Sequence, residues 1–159
     1  MMGVNVIIIQ NLSNEDTEKI RNDLEQGILA TVELWHPYWY PLYPVKKDIP
    51  VIAFDSDFIA NKTNIEKVVN ILIHHNVSYV IELQELNNAR KITGKIKEYF
   101  EEEDDDGIIF PYMSECYWFD FSKEWMIYSS HEATIAFAGE WLVREIKAEI
   151  IGYMEHEIK

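Results

Sequence analysis

Apolar positions along this chain recur with two periods, and the switches between them mark out the predicted elements. Val4 to Ile9 is a β-branched run that reads as a strand. Behind it, Ser13 can cap a helix whose first turn carries Glu15 and Asp16, and Ile20, Leu24 and Ile28 recur every fourth residue on one face. Val51 to Phe54 is a second short strand. Thr63 and Glu66 have capping-box spacing, and Ile65, Val68, Val69, Leu72 and Ile73 follow at helical intervals until His74-His75-Asn76 ends the helix. Val77 to Glu85 alternates, with Val77, Tyr79, Ile81 and Leu83 on one face. A helix between two apolar strands predicts a βαβ unit, with residues 51–54 beside residues 77–83 and parallel to them.

From Asn88 the pattern predicts a basic helix with Ile92, Ile96, Tyr99 and Phe100 buried and Arg90, Lys91, Lys95 and Lys97 outside. Cys116–Phe121, Trp125–Ser130 and Thr134–Ala138 then read as three strands whose short connections make an antiparallel meander. Gly139 breaks the last of them, and Glu140 opens a helix with Leu142, Val143, Ile146 and Ile150 facing inward. The tail from Gly152 is expected to fray. The fold class is therefore α+β. It comprises a single domain, 1–159, with a mixed sheet, a C-terminal antiparallel meander and about four helices mainly on one face.

Composition changes this picture in one respect. The 159 residues carry 14 Lys and Arg against 28 Asp and Glu, so 14 − 28 gives a net charge of −14. A field of that sign repels phosphate backbones and anionic lipid, so neither nucleic acid nor membrane is an expected partner; a basic protein is. Cys116 is the only cysteine, which excludes an intramolecular disulfide and a cysteine zinc site. No window approaches the roughly 18 apolar residues a membrane helix needs. The N-terminal stretch lacks a basic region and turns acidic at once, so a cytoplasmic location is expected.

Three stretches carry candidate chemistry. Leu34 to Pro44 crowds five aromatic residues among three prolines, which excludes a central strand. Its rings either close one end of the core or form a recognition surface, with Trp35, Tyr38 and Trp39 as binding candidates. Asp55-Ser-Asp57 follows a strand, a placement used for Mg²⁺ in many α/β enzymes, but no glycine-rich loop accompanies it and a solvated loop is the reading taken. The third stretch is the meander, where Tyr128, Ser129, Ser130, His131, Glu132 and Glu140 lie close in sequence.

A nucleophilic serine needs a base within reach, yet strand neighbours point apart and no Gly-x-Ser-x-Gly elbow appears. Acid/base catalysis by paired carboxylates, Glu132 with Glu140 or Glu82 with Glu85, or by His131 with these glutamates, is the enzymatic alternative. The binding alternative takes Tyr128, His131, Glu132 and Glu140 together with the aromatic segment. No cofactor or metal site is expected. Glu101 to Asp106 is read as a solvated loop, or as a docking tract for a basic partner.

Glu82-Leu-Gln-Glu85, Tyr117-Trp118, Trp125-Met-Ile-Tyr128-Ser-Ser-His131-Glu132 and Gly139-Glu-Trp-Leu142 together resemble a family of small bacterial proteins with no established activity. The likeness spans residues 35–143 and implies a bacterial origin and a shared fold, and it assigns no catalytic role. The function expected is that of a non-enzymatic acidic protein-binding domain, immunity- or antitoxin-like. The alternatives are a small acid/base enzyme with a pocket around His131 and a homodimer joined through the aromatic segment.

Overall fold

The computed structural model describes residues 6–25, 49–84, 86–101, 115–130 and 132–158. The aromatic candidates Trp35, Tyr38 and Trp39, the candidates Glu85 and His131, and the acidic residues 102–106 lie outside the described residues. Among the described residues thirteen elements follow in order: β1 (Ile7–Asn11), α1 (Asn14–Glu25), β2 (Val51–Asp55), α2 (Ser56–Ile59), α3 (Lys62–His74), β3 (Tyr79–Gln84), β4 (Arg90–Gly94), α4 (Ile96–Glu101), β5 (Cys116–Phe119), β6 (Met126–Ser129), β7 (Thr134–Ala138), α5 (Glu140–Glu149) and α6 (Tyr153–His156). The class is α+β, organised by one seven-stranded sheet in the order β1-β4-β3-β5-β6-β7-β2.

Every pairing in that sheet is antiparallel, which corrects the expected mixed sheet. The predicted βαβ partners are not neighbours. β2 pairs with β7 at the edge, and β5, β6 and β7 lie between it and β3. The meander is present as read, with Tyr117 opposite Tyr128 and Tyr128 opposite Ala136. Residues 88–100 are not one helix. Arg90 to Gly94 forms β4 between β1 and β3, and Gly94 at φ 82° turns the chain into the six-residue α4. Helical spacing lost to pairing on both sides, because each ladder satisfies the strand's backbone donors and acceptors.

Helices cover both faces, a second correction. Trp118, Ile127, Phe137, Ile52 and Phe54 pack under α3, α4 and α5, with Ile65, Val69 and Leu72 of α3 fully or almost fully buried. Ile20 and Leu24 of α1 pack instead on the other face, beside Ile81, Leu83, Tyr117 and Met126. The reason is local anchoring. The Thr17 hydroxyl accepts the Ala89 N–H at 2.9 Å, and Arg21 donates to the carbonyls of Gln84 and Asn87, which pins α1 to the β3–β4 connection.

Helix ends mostly follow their expected chemistry. Asn61, not Thr63, caps α3 by accepting the Asn64 N–H at 2.9 Å. Asn76 ends the same helix in the left-handed region at φ 62°, as its residue type favours. The tail does not fray as expected, since Glu157 bridges Phe54 and the Ile158 N–H donates to the Ala53 carbonyl at 2.8 Å. Among the described residues no helix is long and apolar enough to cross a membrane.

Gly139 sits between β7 and α5 at φ 116°, and a Cβ there would stand 2.2 Å from the Glu124 carbonyl oxygen. Only glycine fits both constraints. Gly139→Ala is expected to destabilise the fold by about 3 kcal/mol or more, since a special backbone angle and a backbone clash coincide. Urea unfolding of the variant beside the parent measures this.

Candidate functional site

Pleat alternation decides where the meander candidates point. Tyr128 and Ser130 share the α1 face of the sheet, while Ser129 projects to the opposite face beside Cys116. Tyr128 is buried, stacks on Tyr117 with ring centroids 4.6 Å apart, and donates its hydroxyl to Glu115. The Ser130 hydroxyl lies 2.7 Å from that of Thr134, and both residues are buried. Glu132 is exposed in the β6–β7 turn, and Glu140 is exposed in the first turn of α5 at the far end of β7. Tyr128, Glu132 and Glu140 therefore do not form one surface.

Glu82 is built into the core. It is 2% exposed, accepts from Arg90 Nε and Nη2 at 2.8 Å each, and accepts from Gln84 at 3.1 Å and from the Tyr99 hydroxyl. Trp118 Nε1 in turn donates to the Tyr99 oxygen at 2.9 Å. The fork of Arg90 matches the carboxylate geometry, and its guanidinium is held above its ordinary range mainly by that hydrogen bond to Glu82. Reading residues 88–100 as a helix hid this pair from sequence analysis. A lone carboxylate inside the apolar alternation of β3 is the signal that could have exposed it.

Acidic and aromatic residues converge at the other end of the sheet, where β2 passes into α2. The Ser56 N–H donates to the Ala133 carbonyl at 2.8 Å, so the β6–β7 turn is fastened onto the start of α2. That turn is compact. Ala133 N–H donates to the Ser130 carbonyl at 3.3 Å, Ala133 adopts φ 60°, and Glu132 N–H donates to Ser130 Oγ at 3.2 Å. Asp55 occupies the cap position of α2 without a side-chain cap bond, and Asp57 stands in the first turn.

Together Asp55, Asp57 and Glu132 line an open hollow of about 560 Å³ with Asn61, Asn64 and Phe58. Asn61 and Asn64 both donate side-chain amides to the Phe58 carbonyl at 2.8 Å, which fixes the rim. The Phe58 ring lies flat on His156, centroids 4.1 Å apart and 11° between planes, with Phe54 behind it at 5.1 Å. Sequence reading noted Asp55 and Asp57 but not their meeting with Glu132, because 75 to 77 residues separate them along the chain.

This hollow offers carboxylates to a cation, with the stacked Phe58–His156 pair at its wall. Among the described residues no group of three or more His, Cys, Asp or Glu is arranged to hold a metal ion. The chain matches no protein-family model, no curated protein and no solved structure.

Two outcomes follow from the core network. Glu82→Gln takes the carboxylate charge from Arg90 and turns one of the two accepting oxygens, which Arg90 and Tyr99 share between them, into an NH2 that can only donate. Glu82→Gln is expected to cost about 2 kcal/mol or more, the figure held down because a third of the Arg90 side chain reaches water. Urea titration at neutral pH reads it. The second concerns alkaline pH. Burial pushes the Cys116 thiol well above its ordinary 9.0, and burial followed by the Glu82 charge pushes the Tyr99 phenol well above 10.0.

Both groups keep their protons in the fold at a pH where the unfolded chain has released them. Their contribution is complete below about pH 9 and is lost as pH climbs toward the raised folded values. In Cys116→Ala the onset of alkaline destabilisation is expected to move up by roughly one pH unit, toward the tyrosine range. Unfolding free energy measured across an alkaline pH series checks this.

Proposed function

We propose that this chain is a non-enzymatic, acidic protein-binding domain that holds a basic protein partner, in the manner of bacterial immunity or antitoxin proteins, and acts in the cytoplasm. One observation carries the reading. Three carboxylates from two distant chain segments line one open hollow, with Phe58 and His156 stacked at its wall. A net charge of −14 adds long-range attraction for a basic partner and speeds its approach. An arginine of that partner, its guanidinium among Asp55, Asp57 and Glu132 and its stem against the stacked Phe58–His156 pair, is the contact this chemistry suits.

Two of the acid/base candidates bear on the same reading. Glu82 has its oxygens engaged by Arg90, Tyr99 and Gln84 inside the core, an arrangement that supports a structural role. Glu132 belongs to the hollow itself.

The test is capture from a lysate of the native host on the immobilised protein, eluted at low and then high salt. A basic protein released by salt is the expected result. The variant Asp55→Asn/Asp57→Asn/Glu132→Gln is expected to weaken its binding by roughly ten-fold or more and to flatten the salt dependence. A partner that binds the variant as tightly as the parent would remove the hollow from the interface.

A further inference from the structure

A second hollow lies on the α1 face of the sheet, and its floor is one cross-strand row. Gln10 of β1 stands opposite Lys91 of β4, Lys91 opposite Ile81 of β3, and Ile81 opposite Phe119 of β5. One wall is a stripe of α1 at helical spacing, from Asp16 and Lys19 through Ile20 to Asp23 and Leu24. The other wall is the β5–β6 turn, with Phe121 and Lys123. The space has two parts. An open part of about 550 Å³ carries the charged residues, and a slot of about 30 Å³ is lined by Ile20, Leu24, Phe119 and Trp125. Ile20, Asp23, Phe121 and Lys123 line both, so the two parts adjoin.

Both walls are held in place. Thr17 and Arg21 pin α1 to the β3–β4 connection. In the turn, Ser122 N–H donates to Asp120 Oδ1 at 2.9 Å and Lys123 N–H donates to the Asp120 carbonyl at 3.3 Å. Phe121 N–H donates to the Tyr79 hydroxyl at 3.0 Å, which sets its half-exposed ring at the rim, 5.9 Å from the Tyr79 ring. Lys91 is placed as well, its Nζ 4.7 Å over the same tyrosine.

Charges of both signs face this space unpaired. Among the described residues Lys19, Lys91 and Lys123 form no ion pair, and neither do Asp16 and Asp23. We propose that the groove binds a free α-amino acid with a branched aliphatic side chain, its carboxylate taken by the lysines and its ammonium by Asp16 and Asp23. A simple anion would meet those two carboxylates and the repulsion of a chain of net charge −14. A simple cation would meet three ammonium groups. A zwitterion has no net charge to be repelled and satisfies both sets. The slot selects the side chain. Its volume holds roughly two water-sized spheres, enough for the tip of a branched aliphatic chain and too little for an aromatic ring.

The test is calorimetric titration of the full chain with L-leucine, beside three ligands that each lack one recognised part. Isocaproate lacks the ammonium, isoamylamine lacks the carboxylate, and glycine lacks the side chain. Saturable binding of leucine is expected, with each of the three weaker by roughly ten-fold or more. Asp23→Asn and Lys123→Asn, the latter keeping a residue type that tolerates the left-handed backbone found there, are each expected to raise the Kd for leucine by a similar factor. The variant Asp55→Asn/Asp57→Asn/Glu132→Gln is expected to leave it unchanged, so this groove stands or falls apart from the acidic hollow. The proposal is overturned if leucine shows no saturable binding up to about 10 mM. It is also overturned if isocaproate or isoamylamine binds as tightly as leucine, or if neither Asp23→Asn nor Lys123→Asn weakens leucine binding.

Discussion

A carboxylate buried to 2% exposure is tolerable only when charged and polar groups replace the water it has lost, and Glu82 meets four such contacts. Their origins explain the architecture. Arg90 comes from β4, Tyr99 from α4, and Trp118, which bonds Tyr99 and stands opposite Glu82, from β5. The network therefore straddles the junction where β4-β3 joins the meander, and it ties α4 to the same point. Apolar burial supplies most of the favourable energy of folding. What Glu82 adds is register: a one-residue slip of β4 would carry Arg90 to the opposite face and strand a buried charge.

Around that junction the two faces of the sheet are used differently. One carries the thick layer of α3, α4 and α5 over Phe54, Trp118 and Phe137. The other carries α1, held by Thr17 and Arg21 to the β3–β4 connection. Because the helix layer and its anchors hold the strands, the connections are left to carry charge. The Asp55–Glu132 hollow belongs to connections, at the end of β2 and in the turn before β7. Connections that run over the surface of a rigid scaffold are the common arrangement.

Charge and backbone pairing also divide the surface. The acidic hollow lies beside β2, whose free edge the tail closes, while β1 at the opposite end of the sheet is uncharged and, among the described residues, pairs with β4 alone. An acidic patch and an apolar edge answer to different physics, one screened by salt and the other driven by desolvation and backbone hydrogen bonds.

Much of this was legible from the residues alone. Alternation and spacing located β1, the core of β3, the meander, α3 and α5, because each has a burial pattern that one period satisfies. Gly139 was recognisable as the break after β7, although only the approach of the Glu124 carbonyl shows why no other residue fits. The net charge of −14 was readable from composition and set the class of partner to expect. Other features needed the tertiary structure. Residues 90–94 have helical spacing when read with Ile96 and Phe100, and became a strand because β1 and β3 offered pairing on both sides. Strand order, the Glu82–Arg90 pair and the meeting of Asp55 with Glu132 depend on contacts between residues far apart in the chain. Periodicity describes one segment against a generic core, and says nothing about which other segment supplies that core.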